Sequence, residues 1–449
     1  MTMHPRERRG SDGGSGRSRL QHARSGLWVP GRRPLPFDRR EFLRRSAMTA
    51  IALPSAGAIL AACGGDDATS NPSGSGSGTT WPQIDGIDLS RPDHPVQLPL
   101  KGEPIADGLS PERGPLKLYN YADYVNPDLI AAFEDEYDIE VDYTSFTEID
   151  EAMTKMTSGG VDFDIFYPTI DRVAELVARE LVQPLNKSYL PNLANVWTRL
   201  QSPFYDVGAQ YTVPHTIWVD GIGWRSDKTD KLPTDYANPW DILWDSANRG
   251  KVWVLQDDRD TLALPLVRGG DLDVNTEDQA KLDSSLEELM KLVSDVNVKV
   301  GAESYVKVPE GQAPIHHTWS GDMLGAQSFL PDGVDASLLG FWHPEDGRQI
   351  IGNDSIAIPR AAKNPVLAHL WLNYVLDVDN SILNQTWIGY QAPLTAIDPD
   401  RLVADGLVVE NLASAIVREA DFDVGVQLMQ LTPAGEKRWD TAWGTFNGG

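Results

Sequence analysis

A single cysteine, Cys63, stands in a chain of 449 residues, which removes intrachain disulfides, cysteine metal clusters and thiol redox pairs from consideration. Positive charge is also short. Only 39 Lys and Arg face 65 Asp and Glu, a formal charge of −26 at pH 7. That balance argues against binding a nucleic-acid backbone, which needs clustered Lys and Arg. Catalytic signatures are missing as well. There is no H-E-x-x-H helix, and Gly74-Ser75-Gly76-Ser77-Gly78 fits G-x-S-x-G only formally, without the strand before it or the helix after it that a nucleophile elbow needs. His215, His316, His317 and His343 are available, but His316 and His317 are adjacent and in a strand would face opposite ways. An exported hydrolase is therefore the weakest functional class, and no enzyme activity, cofactor or metal site is expected.

What is present divides at residue 63. Residues 1–62 carry twelve Arg, no Lys and four acids, Glu7, Asp12, Asp38 and Glu41, so the remainder is strongly acidic. A Gly/Ser/Arg-rich stretch leads to Asp38-Arg39-Arg40-Glu41-Phe42-Leu43, then to an apolar run from Ala47 to Leu60, then to Leu60-Ala61-Ala62-Cys63. As a helix that run, about fourteen residues long and containing Pro54 and Gly57, would cover roughly 21 Å, short of the roughly 30 Å of a bilayer core. It reads as a cleavable signal. Arg39-Arg40-x-Phe42-Leu43 resembles a twin-arginine export signal, with the general secretion channel as the alternative route. Leu60-Ala61-Ala62-Cys63 resembles a bacterial lipobox, which makes Cys63 the expected lipid attachment point and mature N-terminus. From residue 63 to 115, Gly, Ser, Pro and Asp dominate, the composition of a flexible tether.

Beyond Leu116 strand and helix patterns alternate. Leu116 to Tyr119, Ile139 to Tyr143, Val161 to Tyr167, Val252 to Leu255 and Ser355 to Ile358 read as strands. Asn126-Pro127 reads as a helix N-cap followed by proline in the first turn. A helix is expected from about Ile170 to Arg179, Thr276-x-x-Gln279 matches a capping box, and Pro365 to Leu376 is amphipathic. Strands separated by helices imply an α/β fold with a mostly parallel sheet covered on both faces.

Ligands of such sheets gather beyond the carboxyl ends of strands. The segments placed there are Asn120 to Tyr124, Pro168 to Asp171, Gln256 to Asp260, Thr318 to Asp322 and Gly352 to Asp354, and they offer carboxylates and aromatic rings. That combination suits an organic cation: carboxylates compensate desolvated ammonium groups and ring faces attract them. Blander roles exist for the same residues. Asp171 fits the first turn of a helix, Asp257, Asp258 and Asp260 a solvated loop around Arg259, and Tyr121 and Tyr124 a core. The acidity of the body also fits solubility or a salty habitat.

Leu118-Tyr119-Asn120-Tyr121-Ala122-Asp123-Tyr124-Val125, Asp257-Asp258-Arg259-Asp260, Trp319-Ser320-Gly321-Asp322 and Asn353-Asp354-Ser355-Ile356-Ala357-Ile358-Pro359 together resemble the spermidine/putrescine-binding proteins of bacterial ABC importers. The resemblance runs from about Leu116 to Pro393. It implies a two-lobed, hinged fold of the type II periplasmic-binding-protein class, with lobe one at 116–221 and 353–397 and lobe two at 222–352 and 398–449. It also implies a monomeric, exported, lipid-anchored protein that hands a polyamine or other small organic cation to a membrane permease. Carried over residue by residue, Tyr121, Asp123 and Tyr124 follow the first strand, and Asp257 and Asp260 meet an amine. Trp319 packs on methylenes, and Asp322 and Asp354 bind amines, Asp354 centrally. The sequence departs from the pattern where Thr169 replaces Ser, Asp171 an aromatic and Gly352 a Trp, and Asp421 lies near a glutamine position. These departures imply a roomier, more acidic cleft and leave a different organic solute as the second hypothesis.

Overall fold

In the computed structural model, which describes residues 81–159 and 162–448, the Leu116, Leu118 alternation becomes a strand that continues to Tyr121. The strands are β1 (Gln83–Ile84), β2 (Ile87–Asp88), β3 (Leu116–Tyr121), β4 (Val141–Phe146), β5 (Ile165–Phe166), β6 (Thr212–Arg225), β7 (Val252–Val254), β8 (Lys299–Val300), β9 (Ile315–Trp319), β10 (Leu339–Trp342) and β11 (Ile351–Ala357). The helices are α1 (Pro127–Tyr137), α2 (Ile149–Thr157), α3 (Val173–Ala178), α4 (Asp258–Gly269), α5 (Gln279–Lys291), α6 (Ser304–Lys307), α7 (Ser320–Ala326), α8 (Pro365–Val375), α9 (Val378–Ile388), α10 (Pro399–Ala404) and α11 (Pro433–Asn447). Among the described residues one sheet runs β4-β3-β5-β11-β6-β9-β7-β8, with β10 also on β6.

The sheet is mixed, and its mixture positions the site. β3 pairs in parallel with β4 and β5, and β7 in parallel with β8 and β9. Between these two parallel groups lie β11 and the fourteen-residue β6, both antiparallel to their neighbours. The first part of β6, Thr212 to Val219, pairs with β11, and the second part, from Asp220, pairs with β9 and β10.

Alternation along β3 sends Leu116 and Leu118 into a core with Phe133, Ile356 and Trp371, and Tyr119 into a second core with Phe166, Met153 and Val177. Both faces of that part of the sheet are thus covered, as the parallel pattern required. A third core of Trp240, Val252, Val254, Leu262, Ile315 and Trp439 lies under β7 and β9.

Several expectations shift. Asn120 and Tyr121 belong to β3 rather than to the loop after it, and Gly352, Asn353 and Asp354 lie inside β11 rather than beyond a strand end. A bulge between Asn353 and Ser355 turns the chain at Asp354, so a strand residue still reaches the site. Asn126 caps α1 as read, its side chain accepting from Asp128 N, but α5 is capped by Asp278, not by a Thr276 box. Residues 81–98, expected within the tether, pack on the body because Ile84, Ile87, Leu89 and Leu98 are buried. The export signal, Cys63 and the Ser-Gly run lie outside the described residues.

Candidate functional site

The parallel strands β3, β5, β7 and β9 deliver their carboxyl ends to one region. A cavity of about 50 Å3 there is lined by Thr169, Asp171, Trp218, Asp257, Asp260 and Asp354, together with Ile149, Arg172, Arg259 and Leu428. That is room for a few water molecules.

Asp354 is buried. Tyr124 Oη donates to its Oδ2 at 2.5 Å, and Thr216 Oγ1 follows at 3.4 Å. The Trp218 side chain donates to the same carboxyl. Burial pushes it up to about 6, because these donors offset only part of the lost hydration, and the charge of Asp171 adds to the rise. Around it Tyr124 meets Tyr121 edge-on at 5.7 Å and Tyr390 at 5.2 Å. The backbone of Thr169 bridges to that of Asp354, and Thr169 Oγ1 is buried without a partner.

Asp257 and Asp260 owe their places to α4. Asp257 is its N-cap, accepting from Asp260 N at 3.0 Å, and Asp260 accepts the indole N–H of Trp319 at 3.3 Å. Burial holds both carboxyls well above the usual range, and each raises the other or is raised by another acid: Asp260 acts on Asp257, Asp220 on Asp260. Asp322, in the first turn of α7, is more completely satisfied. Ser304 Oγ donates to Oδ2 and Tyr390 Oη to Oδ1 at 2.8 Å. It too is raised by burial, less the help of those donors. The Tyr390 ring reaches Asp322 because it lies flat over Gly321, where a Cβ would stand 2.2 Å from the ring. Asp123 connects to this group through Tyr305 Oη, 3.2 Å away.

All ten candidates therefore sit in one contiguous neighbourhood, with unequal roles. Thr169, Asp171, Asp257, Asp260 and Asp354 line the cavity, Tyr124 and Trp319 hold its carboxyls, and Asp123 and Asp322 lie past the Tyr124–Tyr390 pair. Asp171 is not an uncompensated acid: it pairs with Arg172 at 3.4 Å and Arg259 at 4.0 Å, both of which also pair with Glu436. Gly352 does not widen the cleft. Its strand partner is Trp218, whose indole occupies the space, so that a Cβ at 352 would lie 2.6 Å from Cζ2. The ring absent from position 352 thus comes across the ladder from β6.

Sequence reasoning passed over Trp218, Asp220, Thr216, Tyr390 and Glu436. Period-two spacing of Trp218 and Asp220 on a strand next to Gly352 would have been the signal for the first two.

The contrast with structural acids is sharp in chemical terms. Asp164 accepts from Lys117 N, Lys363 N, Asn364 N and Asn364 Nδ2, and Asp206 from Gln210 N, Tyr211 N, Thr212 N and Thr212 Oγ1. At the cavity, one oxygen each of Asp258 and Asp260 has no donor. Among the described residues no Lys or Arg forms an ion pair with Asp257, Asp260, Asp322 or Asp354. Buried acids with neither a cation nor a full donor set, as at Asp260, are chemically able to accept a cation. No group of His, Cys, Asp and Glu among the described residues has the geometry to hold a metal ion.

Comparison with known proteins follows the same line. The chain is 26% identical over 289 residues to a putrescine/cadaverine-binding protein of Pseudomonas aeruginosa, covering 63% of this chain and 80% of that one. It is 28% identical over 283 residues to a spermidine/putrescine-binding periplasmic protein of Salmonella typhimurium, covering 62% and 77%. A solved spermidine/putrescine transporter substrate-binding protein of Streptococcus pneumoniae shares the fold, with a TM-score of 0.59 at 22% identity over 74% of this chain and 98% of that one. The family model of the bacterial extracellular solute-binding proteins matches residues 128–406, more than half of the chain, and the protein belongs to that family.

Proposed function

We propose that this protein captures a polyamine of the putrescine/spermidine class outside the cytoplasm and delivers it to the permease of an ABC importer. The observation that carries the reading is the cavity wall: Asp257, Asp260 and Asp354 are buried or partly buried there without a paired Lys or Arg, beside Trp218, Tyr124 and Trp319. Ammonium groups of a bound amine would supply the missing charge, and the rings would cover its methylenes. The relatives' names support the class of ligand.

The two lobes proposed are residues 116–221 with 353–397, and 222–352 with 398–449. Thr169, Asp171, Trp218 and Asp354 come from the first and Asp257, Asp260 and Leu428 from the second, so the cavity lies between them. The enclosed space is small, about 50 Å3, and ligand contacts to both walls would hold a closed state. The crossing segments of β6 and β11 supply the hinge. Isothermal calorimetry with putrescine, cadaverine and spermidine tests the reading; absence of heat and of any thermal shift with all three would remove it.

A second reading keeps the fold and takes a zwitterionic amine. Arg172 and Arg259 also line the cavity, and Nε of each lacks a hydrogen-bond partner. Their charges are matched by Asp171 and Glu436, which favours the first reading. Competition between putrescine and an ω-amino acid separates the two.

The order of basic segment, apolar run and Leu60-Ala61-Ala62-Cys63 supports export through a twin-arginine signal and lipid anchoring at Cys63. Membrane fractionation of wild type and Cys63→Ser checks the anchor, and Arg39→Lys with Arg40→Lys checks the route.

A further inference from the structure

The cavity has a second layer that family resemblance did not supply. β6 presents Trp218 and Asp220 on one face, and antiparallel pairing sets Trp319 opposite Asp220 and His317 opposite Ile222, all on that same face. Asp220 is 1% exposed and Asp260 3%. Their carboxyls are in hydrogen-bonding contact. Asp220 Oδ2 lies 3.2 Å from His317 Nε2, and Asp260 Oδ2 takes the Trp319 indole N–H, which leaves Oδ1 of both without a donor.

Two carboxylates in contact out of water cannot both be ionised without a cation between them. None is at hand. His317, whose Nε2 lies 3.2 Å from Asp220 Oδ2, is fully buried, and burial disfavours its charged form, pushing it down to about 3. Of the other charged groups, Asp257, the N-cap of α4, acts on both acids of the pair; Asp258, Arg259, Asp171, Arg172 and Asp354 line the same cavity, and Glu436 of α11 lies behind the two arginines. The two arginines among them are taken up by Asp171 and Glu436.

We infer that Asp220 and Asp260 share one proton in the ligand-free protein and form an exchangeable subsite for a primary ammonium group, which on arrival displaces that proton to solvent. This rests on the amine-binding reading above. The exchange balances simply: the carboxyl O–H bond breaks, the proton passes to a buffer base, and the ammonium, keeping its own three N–H donors, faces two carboxylates. Those donors match the two orphaned Oδ1 atoms. A quaternary ammonium, which has no N–H, cannot make the exchange, so Asp220 becomes a specificity-determining residue behind the visible wall.

Two measurements on the full chain separate this inference from its foundation. Infrared spectroscopy of the ligand-free protein near neutral pH is expected to show a protonated carboxyl that both Asp220→Asn and Asp260→Asn remove; an unchanged band in both variants overturns the inference whatever binds. Calorimetry with putrescine near neutral pH, in two buffers of different ionisation enthalpy, is expected to show proton release, which Asp220→Asn largely abolishes together with a fall in putrescine affinity. Heat without buffer dependence in the wild type leaves amine binding intact and overturns the exchange. A shared proton with no heat from any amine overturns both the amine-binding reading and the subsite.

Discussion

Asp354 gains three donors from Tyr124, Thr216 and Trp218, yet burial still lifts its carboxyl to about 6. Because that value exceeds the unfolded one, the group contributes stability that is complete below about pH 4 and is lost as pH rises through about 6. Asp354→Asn is expected to raise the thermal midpoint of the ligand-free protein more near pH 8 than near pH 5. Its effect on function runs the other way: loss of a charge-assisted hydrogen bond, about 1.5 to 3 kcal/mol, weakens putrescine binding by roughly 10- to 100-fold. Thermal scans at the two pH values with parallel calorimetry check both, and a pH-independent difference in midpoint would contradict the assigned ionisation. Gly352 offers a second residue-scale test. Gly352→Ala drives a methyl group against the Trp218 indole, an overpacking cost of about 1 to 3 kcal/mol, and shifts a donor off Asp354. Urea unfolding should show a lower midpoint together with weaker amine binding; an unchanged affinity would separate Trp218 from the site.

At the scale of elements, α4 carries the sharpest lesson. Residues 259–267 of this helix are buried all round, and Pro265 lies inside it. A helix without a polar face has no 3.6-residue stripe to read, so Asp257 to Asp260 looked like a loop after β7. By contrast the start of α1 and both ends of α8, each with proline in the first turn, were legible to within a residue or so. Asp257 both caps α4 and lines the cavity, and two substitutions part the cap from the proposed amine contact. Asp257→Asn keeps a good cap and should lower amine affinity with little loss of stability. Asp257→Ala should lose the same affinity and, in addition, about 0.5 to 2 kcal/mol of stability. Equal stability of the two variants in chemical unfolding would argue that the cap contributes nothing here.

For the molecule as a whole, ligand occupancy and folding are linked. Putrescine at about a hundred times its dissociation constant should stabilise the protein by about 2.7 kcal/mol, read as an upward shift of the thermal midpoint. The shift should shrink as pH falls and Asp354 and the neighbouring acids retain protons. It should shrink with salt only where water reaches the carboxylates, since buried charges are weakly screened. A shift indifferent to pH would count against carboxylates as the ammonium partners. Residues 81–98 also belong to this scale. Arg91 donates to the Gln430 carbonyl and Val96 N to Phe204 O, so the segment touches distant parts of the chain, and its removal should lower the midpoint even without ligand.

Strands β3, β4, β5, β7 and β11, helices α1, α5 and α8, and most of the carboxylates around the cavity followed from the sequence alone, because alternation, capping residues and charge are local properties of consecutive residues; the long strand β6 did not. Which acids stay uncompensated was decided only by tertiary structure. Asp171 found Arg259 from a distant element, whereas Asp260 met a second acid, Asp220, through strand register. The position of Trp218 over Gly352 has the same origin: a side chain set by pairing between residues far apart in the chain leaves no trace in the neighbours of either one.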